Sequence, residues 1–448
     1  MRFVIIGGSD AGVSAAIRAR ELDPSADVRM LLRDDYPNYS ICGLPFLVSG
    51  EVPEPSMLAH RTREEIEAGG VRIFTRTTAT SIDPLRRTVT ARDAAGGAIV
   101  FEYDACLVAT GARSRVPPID GQDLPGVFRM RWMDDALAIR EFIASNQPRS
   151  AVIVGSGYIG LEMADALTRL GLKVFLAGRA AGVLKTVDED FGAHIARELV
   201  HHGVSVFSDV AVETIQREGN GLLVLGRGVE AYTDMVLVAA GATPDVTLAR
   251  EAGASLGAGG AIRVDRRMET GVPGLYAAGD CVETHHRLLD SNIYRPLGTT
   301  AHKQGRVAAE NAVGGDALYA GSLGTQAVKV FELVAARTGL REHEAEAASI
   351  PARSATIECW DHKNYYPGAT AMHVRLTGNP ETGALLGGQI IGHRPAEVSK
   401  RVDVIAAALH NGMRVEDLPD MDLSYTPPLS SPWDPVQMAA LAWRARMK

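Results

Sequence analysis

The sequence predicts an α/β chain with two nucleotide-binding βαβ units, and two glycine-rich turns are the basis of that prediction. The first turn, residues 7–12, follows the apolar run 3–6 and precedes an alanine-rich helical stretch, 13–22. The second turn, residues 155–160, follows the apolar run 151–154. In such units the glycines let the backbone approach a pyrophosphate, and the helix N-terminus stabilises its negative charge.

The first turn departs from the usual GxGxxG pattern. Ser9 stands at the position of the middle glycine. The next predicted strand, residues 28–32, ends without the acid that would bind a ribose, and Arg33, Asp34 and Asp35 follow it directly. The candidate acid is therefore displaced, and this turn alone is weak evidence for a nucleotide site.

The second turn is a complete GxGxxG and is followed by a predicted helix, residues 161–170. The next strand, 173–177, ends in Gly178-Arg179. An acid at this place would bind the 2′-OH of NAD, whereas a neighbouring arginine favours the 2′-phosphate of NADPH. The alternative, that Arg179 is only a solvated surface charge, stays open.

Two nucleotide turns predict either two cofactors or a pseudo-repeat with one inactive copy. Later strands favour two cofactors. One strand ends in Ala109-Thr110-Gly111, and another, 274–280, ends in Asp280, after which we expect a helix. The run 235–242 repeats the pattern for the second unit. Ligands of open α/β sheets bind at such carboxyl ends.

Cys42 is the candidate redox residue, because its distance from the first turn can set one thiol beside a bound flavin. The next cysteine is Cys106, so there is no CxxC or CxxxxC pair. A lone thiol can pass electrons only to an external partner: another thiol, a sulfane sulfur or an oxygen atom. The alternative is a small buried hydrophobic residue, as most cysteines outside disulfides are. Gly43 allows close backbone approach, and Pro45 suits the first turn of a following helix.

Composition excludes several classes of protein. The net charge of -8 provides no basic footprint for nucleic acid. No apolar run reaches the ~18 residues that span a bilayer, and the start of the chain lacks a basic segment and cleavage site, so we expect no membrane partner. Four cysteines are too few for a disulfide framework. These features predict a cytoplasmic protein.

Along its length the chain resembles the FAD- and pyridine-nucleotide-dependent disulfide oxidoreductases. Within them it is most similar to the single-cysteine branch of coenzyme A-disulfide reductases, NAD(P)H persulfide reductases, NADH oxidases and NADH peroxidases. The similarity lies in the first glycine turn and in the stretches SICGLP, VATGAR, VGSGYIGLE, LYAAGD, AHKQGR, YYPGA and DLSYTPPLSSPWDPVQMAA. The last two are typical of this branch.

The resemblance implies two Rossmann-like nucleotide-binding domains, for FAD and for NAD(P), and a C-terminal α+β dimerisation domain. The FAD domain would comprise residues 1–112 and 246–322, the NAD(P) domain 113–245, and the dimerisation domain 323–448. Prolines and glycines agree with these boundaries, because they lie where the chain enters the NAD(P) domain and where it approaches the dimerisation domain. They are Pro117, Pro118 and Pro125 at the first place and Gly314, Gly315 and Gly321 at the second.

The resemblance also implies which residues hold FAD and NADH or NADPH. They cluster at the two glycine turns and at the ends of the strands: Gly7, Gly8, Ser9, Asp10, Ala11, Gly12, Arg33, Asp34, Ala79, Ala109, Thr110, Gly111, Gly155, Gly157, Tyr158, Ile159, Gly160, Glu162, Arg179, Gly241, Gly279, Asp280, Thr300 and Ala301. Tyr158 matches an aromatic gate that covers the flavin until nicotinamide arrives; core packing is the alternative.

Catalysis would send two electrons from NAD(P)H through FAD to sulfur at Cys42. Asp10 stands where peroxidases of the branch carry a histidine, which weakens an oxidase or peroxidase assignment. Tyr425 and one of Tyr365 and Tyr366 match tyrosines that reach the partner subunit's cysteine, where a phenol can protonate a leaving thiolate. Turn packing is the alternative for all three.

We expect a homodimer that acts on a small-molecule disulfide or persulfide, possibly derived from coenzyme A. Arg18 and Arg20 are candidate phosphate contacts, and Ser40 is a third candidate substrate contact, although Glu21 is unfavourable beside a phosphate. The alternatives are a water- or peroxide-forming NAD(P)H oxidase, an electron-transfer reductase with a protein acceptor, and a non-catalytic redox sensor. We expect no metal, because His285 and His286 in a predicted loop lack further ligands, and we expect Cys106, Cys281 and Cys359 to be structural, with Cys281 starting a helix.

Overall fold

The computed structural model describes residues 1–447, which form 25 strands and 11 α-helices. The strands, in chain order, are β1 Arg2–Ile6, β2 Asp27–Leu31, β3 Val71–Phe74, β4 Thr78–Asp83, β5 Thr88–Arg92, β6 Ala98–Glu102, β7 Ala105–Val108, β8 Ala112–Ser114, β9 Val127–Arg129, β10 Ser150–Val154, β11 Lys173–Ala177, β12 Ser205–Phe207, β13 Ala211–Glu218, β14 Gly221–Arg227, β15 Val229–Thr233, β16 Met235–Val238, β17 Ala242–Pro244, β18 Leu275–Ala277, β19 Thr284–His286, β20 Ser291–Ile293, β21 Gln326–Val330, β22 Leu333–Gly339, β23 Arg353–Trp360, β24 Ala371–Gly378 and β25 Leu385–His393.

The helices in the same order are α1 Asp10–Leu22, α2 Leu44–Ser49, α3 Arg63–Ala68, α4 Met133–Asn146, α5 Tyr158–Arg169, α6 Glu189–His201, α7 Thr247–Glu251, α8 Gly298–Ala312, α9 Glu342–Ala347, α10 Val398–His410 and α11 Pro435–Met447. A short 3₁₀ turn, Ile41–Gly43, carries Cys42 directly before α2. Across residues 1–447, no helix is both long enough and apolar enough to traverse a bilayer.

The chain divides into two compact units, and unit 1 comprises residues 1–115, 131–141 and 241–322. Its centre is a parallel sheet with the order β18-β7-β1-β2-β3, accompanied by the antiparallel sheet β4-β5-β6 and two antiparallel strand pairs, β17-β8 and β19-β20. The central strands are buried on both faces, from Phe3 in β1 to Val108 in β7. That pattern is typical of parallel strands covered by helices.

Unit 2 comprises residues 116–130, 142–240 and 323–447. It contains a second parallel sheet, β12-β11-β10-β16-β9, the antiparallel sheet β13-β14-β15, and a five-stranded antiparallel sheet, β21-β22-β25-β24-β23. Asp165 of α5 links the first and last of these sheets, because it accepts hydrogen bonds from Lys329 Nζ at 3.0 Å and from the backbone N–H of Phe331 at 2.9 Å. The predicted boundaries near residues 112, 245 and 322 stay a prediction.

Both predicted βαβ units are present, and the predicted fold class is confirmed. The two helices begin earlier than predicted, at Asp10 and Tyr158, because the last glycine of each motif lies within the first helical turn. The predicted helix after Asp280 is wrong. The backbone of residues 281–283 pairs with Ile262 and is therefore extended.

Three smaller expectations are also wrong. Cys281 does not start a helix; it is a buried residue in the turn directly before Val282, which pairs with Ile262. His285 and His286 lie in strand β19 and not in a loop.

Candidate functional site

The first glycine turn brings backbone atoms closer together than side chains would allow. Gly7 has a φ of +116°, and a Cβ there would lie 2.1 Å from the carbonyl oxygen of Ala109. A Cβ on Gly12 would lie 1.9 Å from the carbonyl oxygen of Gly7. These approaches place the N-terminus of α1 at the carboxyl end of β1, where its free N–H groups attract a phosphate.

A cavity of about 280 Å³ in unit 1 adjoins this turn. The buried hydroxyl of Ser9 has no hydrogen-bond partner among residues 1–447, so it is available to a ligand. Burial raises the pKa of Asp34. The cavity is lined by many of the predicted cofactor residues: Gly7, Gly8, Ser9, Arg33, Asp34, Ala79, Ala109 and Thr110.

This cradle fits one nucleotide portion of FAD, because it combines a close backbone turn, an unpaired hydroxyl and a carboxylate at the end of a neighbouring strand. Arg33 also lies flat over the ring of Trp132, 4.4 Å from its centroid. Trp132, Tyr36 and Thr77 line the cavity too, and our sequence reasoning missed them. These three residues belong to no sequence motif. They reach the cavity from separate loops, and only the fold brings those loops together.

A second group of predicted residues packs around Gly279. A Cβ there would lie 3.0 Å from Cβ of Ala11 and 3.6 Å from Cβ of Ala301, so three small residues from different elements meet. Asp280 follows and forms an ion pair with Arg131. Thr300 is buried in the first turn of α8, and Gly111 has a φ of +70°.

Cys42 lies on the surface of unit 1, within the 3₁₀ turn, and its side chain is exposed. The segment before it is tied to the glycine turn, because the N–H of Asn38 donates to the carbonyl oxygen of Gly8 at 2.7 Å. Ile41, next to Cys42, lines the cavity. Gly43 contacts Leu58 so closely that a Cβ would lie 2.3 Å from its side chain.

Asp10 is the first residue of α1 and lies beside a second titratable group. Its Oδ1 is 3.4 Å from Nε2 of His302. Burial raises the pKa of Asp10, the positive charge of His302 lowers it, and Asp280 raises it again. His302 belongs to the AHKQGR stretch, but its pairing with Asp10 was not predicted.

The predicted substrate contacts are already engaged within unit 1. The guanidinium of Arg18 donates to Glu310 at 2.8 Å and to Glu21 at 3.1 Å. Arg20 donates to the carbonyl oxygen of Ala26 at 2.7 Å. The N–H of Ser40 donates to the carbonyl oxygen of Leu58 at 2.8 Å.

The second glycine turn, in unit 2, repeats the geometry of the first. Gly155 has a φ of +122°, and a Cβ there would lie 2.3 Å from the carbonyl oxygen of Ala239. A Cβ on Gly160 would lie 1.9 Å from the carbonyl oxygen of Gly155, whereas Gly157 faces open space. The turn therefore fits a second dinucleotide, NADH or NADPH.

The neighbours of this turn carry polar groups. Tyr158 donates its hydroxyl proton to Gln326 at 2.5 Å and accepts a hydrogen bond from Thr186 at 3.0 Å. Burial raises the pKa of Glu162 to about 7. Ile159 is half-buried in the first turn of α5, and Arg179 is exposed. Gly241, another predicted cofactor contact, is part of unit 1 and not of the unit that contains this turn; it faces open space with a φ of +102°.

The three predicted tyrosines lie on the surface of unit 2. Tyr365 is 71% exposed, Tyr425 43% and Tyr366 42%. Tyr365 and Tyr425 share a hydrogen bond between their side chains, and burial and Tyr365 raise the pKa of Tyr425. Tyr366 packs edge-on against the ring of His362.

The two glycine turns, one in each unit, fit an α/β protein that binds two nucleotide cofactors. Comparison with known proteins agrees. A family model for pyridine nucleotide-disulphide oxidoreductases matches residues 1–306, and a model for the dimerisation domain of the same family matches residues 325–435. The chain belongs to this family, whose members use FAD and NAD(P)H.

Three known proteins resemble the whole chain. An NAD(P)H sulfur oxidoreductase (CoA-dependent) from Pyrococcus furiosus is 34% identical over 98% of each chain. The crystal structure of reduced Bacillus anthracis CoADR-RHD superposes with a TM-score of 0.96 at 32% identity, covering 100% of this chain and 80% of that one. An NAD-dependent persulfide reductase from A. fulgidus gives 0.95 at 34% identity, covering 100% and 84%. The protein is therefore an FAD-dependent NAD(P)H oxidoreductase.

The cradle makes a testable prediction at Gly7. Gly7→Ala forces a Cβ against the carbonyl oxygen of Ala109, so we expect loss of most bound flavin and a lower melting temperature. Gly50→Ala is the matched control, because Gly50 also has a positive φ, +82°, but faces open space. Both changes carry left-handed strain of about 1–2 kcal/mol. Flavin retained per chain after desalting is the measurement; equal retention in both variants would contradict the assignment of this cradle.

Proposed function

We propose that the protein reduces coenzyme A disulfide, or a related persulfide or disulfide, with electrons from NAD(P)H and with Cys42 as its redox cysteine. The names of the Pyrococcus furiosus and A. fulgidus relatives support this class of substrate. The observation that carries the proposal is the exposure of Cys42, which stands apart from the other three cysteines of the chain.

Burial makes those three cysteines poor nucleophiles. It raises the pKa of Cys106 far above its usual range, that of Cys281 to about 11 and that of Cys359 to about 12. Because a thiolate is the attacking species, a thiol that stays protonated at neutral pH does not open a disulfide. Cys42 is thus the accessible thiol for this chemistry.

The two cradles would divide the remaining work. FAD supplies two-electron transfer between nicotinamide and sulfur when it is bound. The turn at Gly7 and the hydroxyl of Ser9 would hold its pyrophosphate, and Asp34 a ribose. The turn at Gly155 would hold NAD(P)H, with Tyr158 covering the reaction site until the nicotinamide enters.

A homodimer would complete the site. The C-terminal part of unit 2, which matches the family's dimerisation domain, exposes eight large apolar and aromatic side chains. Aromatic side chains and Met are enriched in protein interfaces. We propose that this part of unit 2 contacts a second copy and that Tyr425, with Tyr365 or Tyr366, serves the partner's Cys42. The eight exposed residues are Trp360, Tyr365, Tyr366, Tyr425, Leu429, Trp433, Met438 and Leu441.

Arg18 is the candidate contact for a phosphate of coenzyme A. Its guanidinium is paired with Glu310 and Glu21, so a phosphate of coenzyme A would compete with two carboxylates for it. The test is therefore to compare the rates of NAD(P)H oxidation with coenzyme A disulfide, with coenzyme A persulfide and with a small disulfide such as cystine. We expect anaerobic NAD(P)H oxidation with at least one of them; oxidation that depends only on oxygen would identify an oxidase instead.

Cys42→Ser tests the redox cysteine. We expect this variant to lose disulfide turnover, because serine cannot form the mixed disulfide, while it still oxidises NAD(P)H with an artificial acceptor. Cys359→Ser is the control and should keep both activities. Steady-state rates with each acceptor measure the difference. Full disulfide reduction by the Cys42 variant would place the chemistry elsewhere.

Arg179 should make NADPH at least competitive with NADH, since it follows the strand that ends without an acid. We expect Arg179→Ala to lower kcat/KM for NADPH and to leave that for NADH nearly unchanged. Arg227→Ala, another exposed arginine of unit 2, is the control. A wild-type preference for NADH of about 100-fold or more would refute a phosphate contact.

Mixed dimers test the shared site. A heterodimer of Cys42→Ser and Tyr425→Phe chains should contain one site with both defects and one intact site. Re-forming two impaired homodimers should therefore restore up to about half of the wild-type activity per heterodimer. Heterodimers as impaired as their parents would place Tyr425 in its own subunit's site or outside the chemistry.

A further inference from the structure

Three polar side chains at the crossing of α1 and α8 form a connected chain. Nε2 of His302 lies 3.4 Å from Oδ1 of Asp10, and its Nδ1 lies 2.7 Å from the hydroxyl oxygen of Ser14. His302 therefore shares a hydrogen bond with the hydroxyl through Nδ1, and its Nε2 lies within ion-pair distance of the carboxylate. Neither His302 nor Ser14 belongs to a glycine turn or to the Cys42 segment.

Backbone packing creates this arrangement. A Cβ on Gly305 would lie 2.1 Å from the carbonyl oxygen of Ala11, so α8 crosses α1 in direct backbone contact. His302 lies three residues before Gly305 and so projects from the same face of α8. Asp10 and Ser14 are four residues apart and share one face of α1. The crossing thus sets the imidazole between them.

The chain of contacts leads from solvent toward the interior of unit 1. The side chain of His302 is 45% exposed, whereas that of Asp10 is 21% exposed. The other charged groups that act on Asp10 are Asp280, His60 and Arg131, and Asp280 is itself paired with Arg131. The imidazole is thus the group of the three that can exchange protons with water and also touches Asp10.

The Cys42 segment is anchored to the same turn. The N–H of Asn38 bonds to the carbonyl oxygen of Gly8, two residues before Asp10, and the carbonyl oxygen of Asn38 accepts from the N–H of His60 at 3.1 Å. Burial raises the pKa of Asp10, which favours the protonated form of its carboxyl group over the form that it would have in water.

The proposed reaction needs a proton from solvent. One NAD(P)H and one proton reduce one disulfide: the S–S bond breaks, two S–H bonds form, and NAD(P)⁺ is released. Of the two thiol protons, the nicotinamide hydride accounts for one and solvent for the other. We propose that Ser14, His302 and Asp10 form a proton relay that delivers this solvent proton; this inference rests on the proposed function. His302 would act as a positioning residue that takes up a proton from water and passes it to Asp10.

Chemical rescue tests the relay in the full-length, FAD-loaded enzyme. We expect His302→Ala to lower kcat for disulfide reduction about 10- to 100-fold and imidazole in the buffer to restore part of it, because the site is open to solvent. Lys303→Ala, an exposed neighbour on α8, is the control and should show neither effect. His302→Ala with wild-type kcat, or with a loss that imidazole does not restore, would overturn the relay.

The pH profile supplies a second readout. The positive charge of His302 lowers the pKa of Asp10, so its removal raises that pKa. A carboxyl group that donates a proton acts below its pKa, and the alkaline limb of kcat against pH should therefore move upward in His302→Ala. An unmoved limb, or one that moves downward, would contradict the relay.

A measurement without turnover separates this inference from the proposed function. Nitrogen-15 spectra of histidine-labelled enzyme, with His302→Ala for assignment, should show the neutral His302 ring protonated on Nε2, facing Asp10, and Ser14→Ala should alter that tautomer. A ring protonated on Nδ1 would contradict the relay while leaving the proposed function intact. Wild-type enzyme that reduces no disulfide or persulfide would overturn both.

Discussion

The structure depends on the direct backbone contact that glycine permits around α1. Gly7 approaches the carbonyl oxygen of Ala109, Gly12 approaches that of Gly7, and Gly305 approaches that of Ala11. At each of the three glycines, a Cβ atom would overlap the carbonyl oxygen that the backbone approaches. Together they hold the start of α1 against the ends of β1 and β7 and against α8, so that the positive end of the helix faces a cavity suited to a pyrophosphate. The same contact recurs in unit 2, where it builds the second nucleotide cradle.

Burial divides the cysteines by chemical role. A thiol in an apolar core keeps its proton, because the low-dielectric surroundings disfavour the thiolate. Cys106 and Cys281 are in that position, and Cys359 is largely so. Cys42 escapes it because its 3₁₀ turn lies on the surface of unit 1. Under the proposed function this single accessible thiol would form a mixed disulfide with the substrate, which agrees with the coenzyme A-disulfide and persulfide reductases among the relatives.

Charge at the crossing of α1 and α8 is balanced pair by pair. Asp280 forms an ion pair with Arg131, and Asp10 lies beside the imidazole of His302. The surface arginine of α1 follows the same rule, since Arg18 is paired with Glu310. An incoming anion at that surface would have to displace a carboxylate, whereas a neutral sulfur substrate would not.

The sequence by itself determined the two βαβ units, because glycine turns and strand ends are local patterns that require particular residue types. It also singled out Cys42 as the candidate redox residue, and its resemblance to a known family identified both cofactors. The tertiary structure decided the rest. Trp132 reaches the first cradle and His302 meets Asp10 only because distant segments fold together, and the segment after Asp280 is extended because it pairs with Ile262. Such contacts depend on long-range packing, which leaves no periodic signal in the sequence.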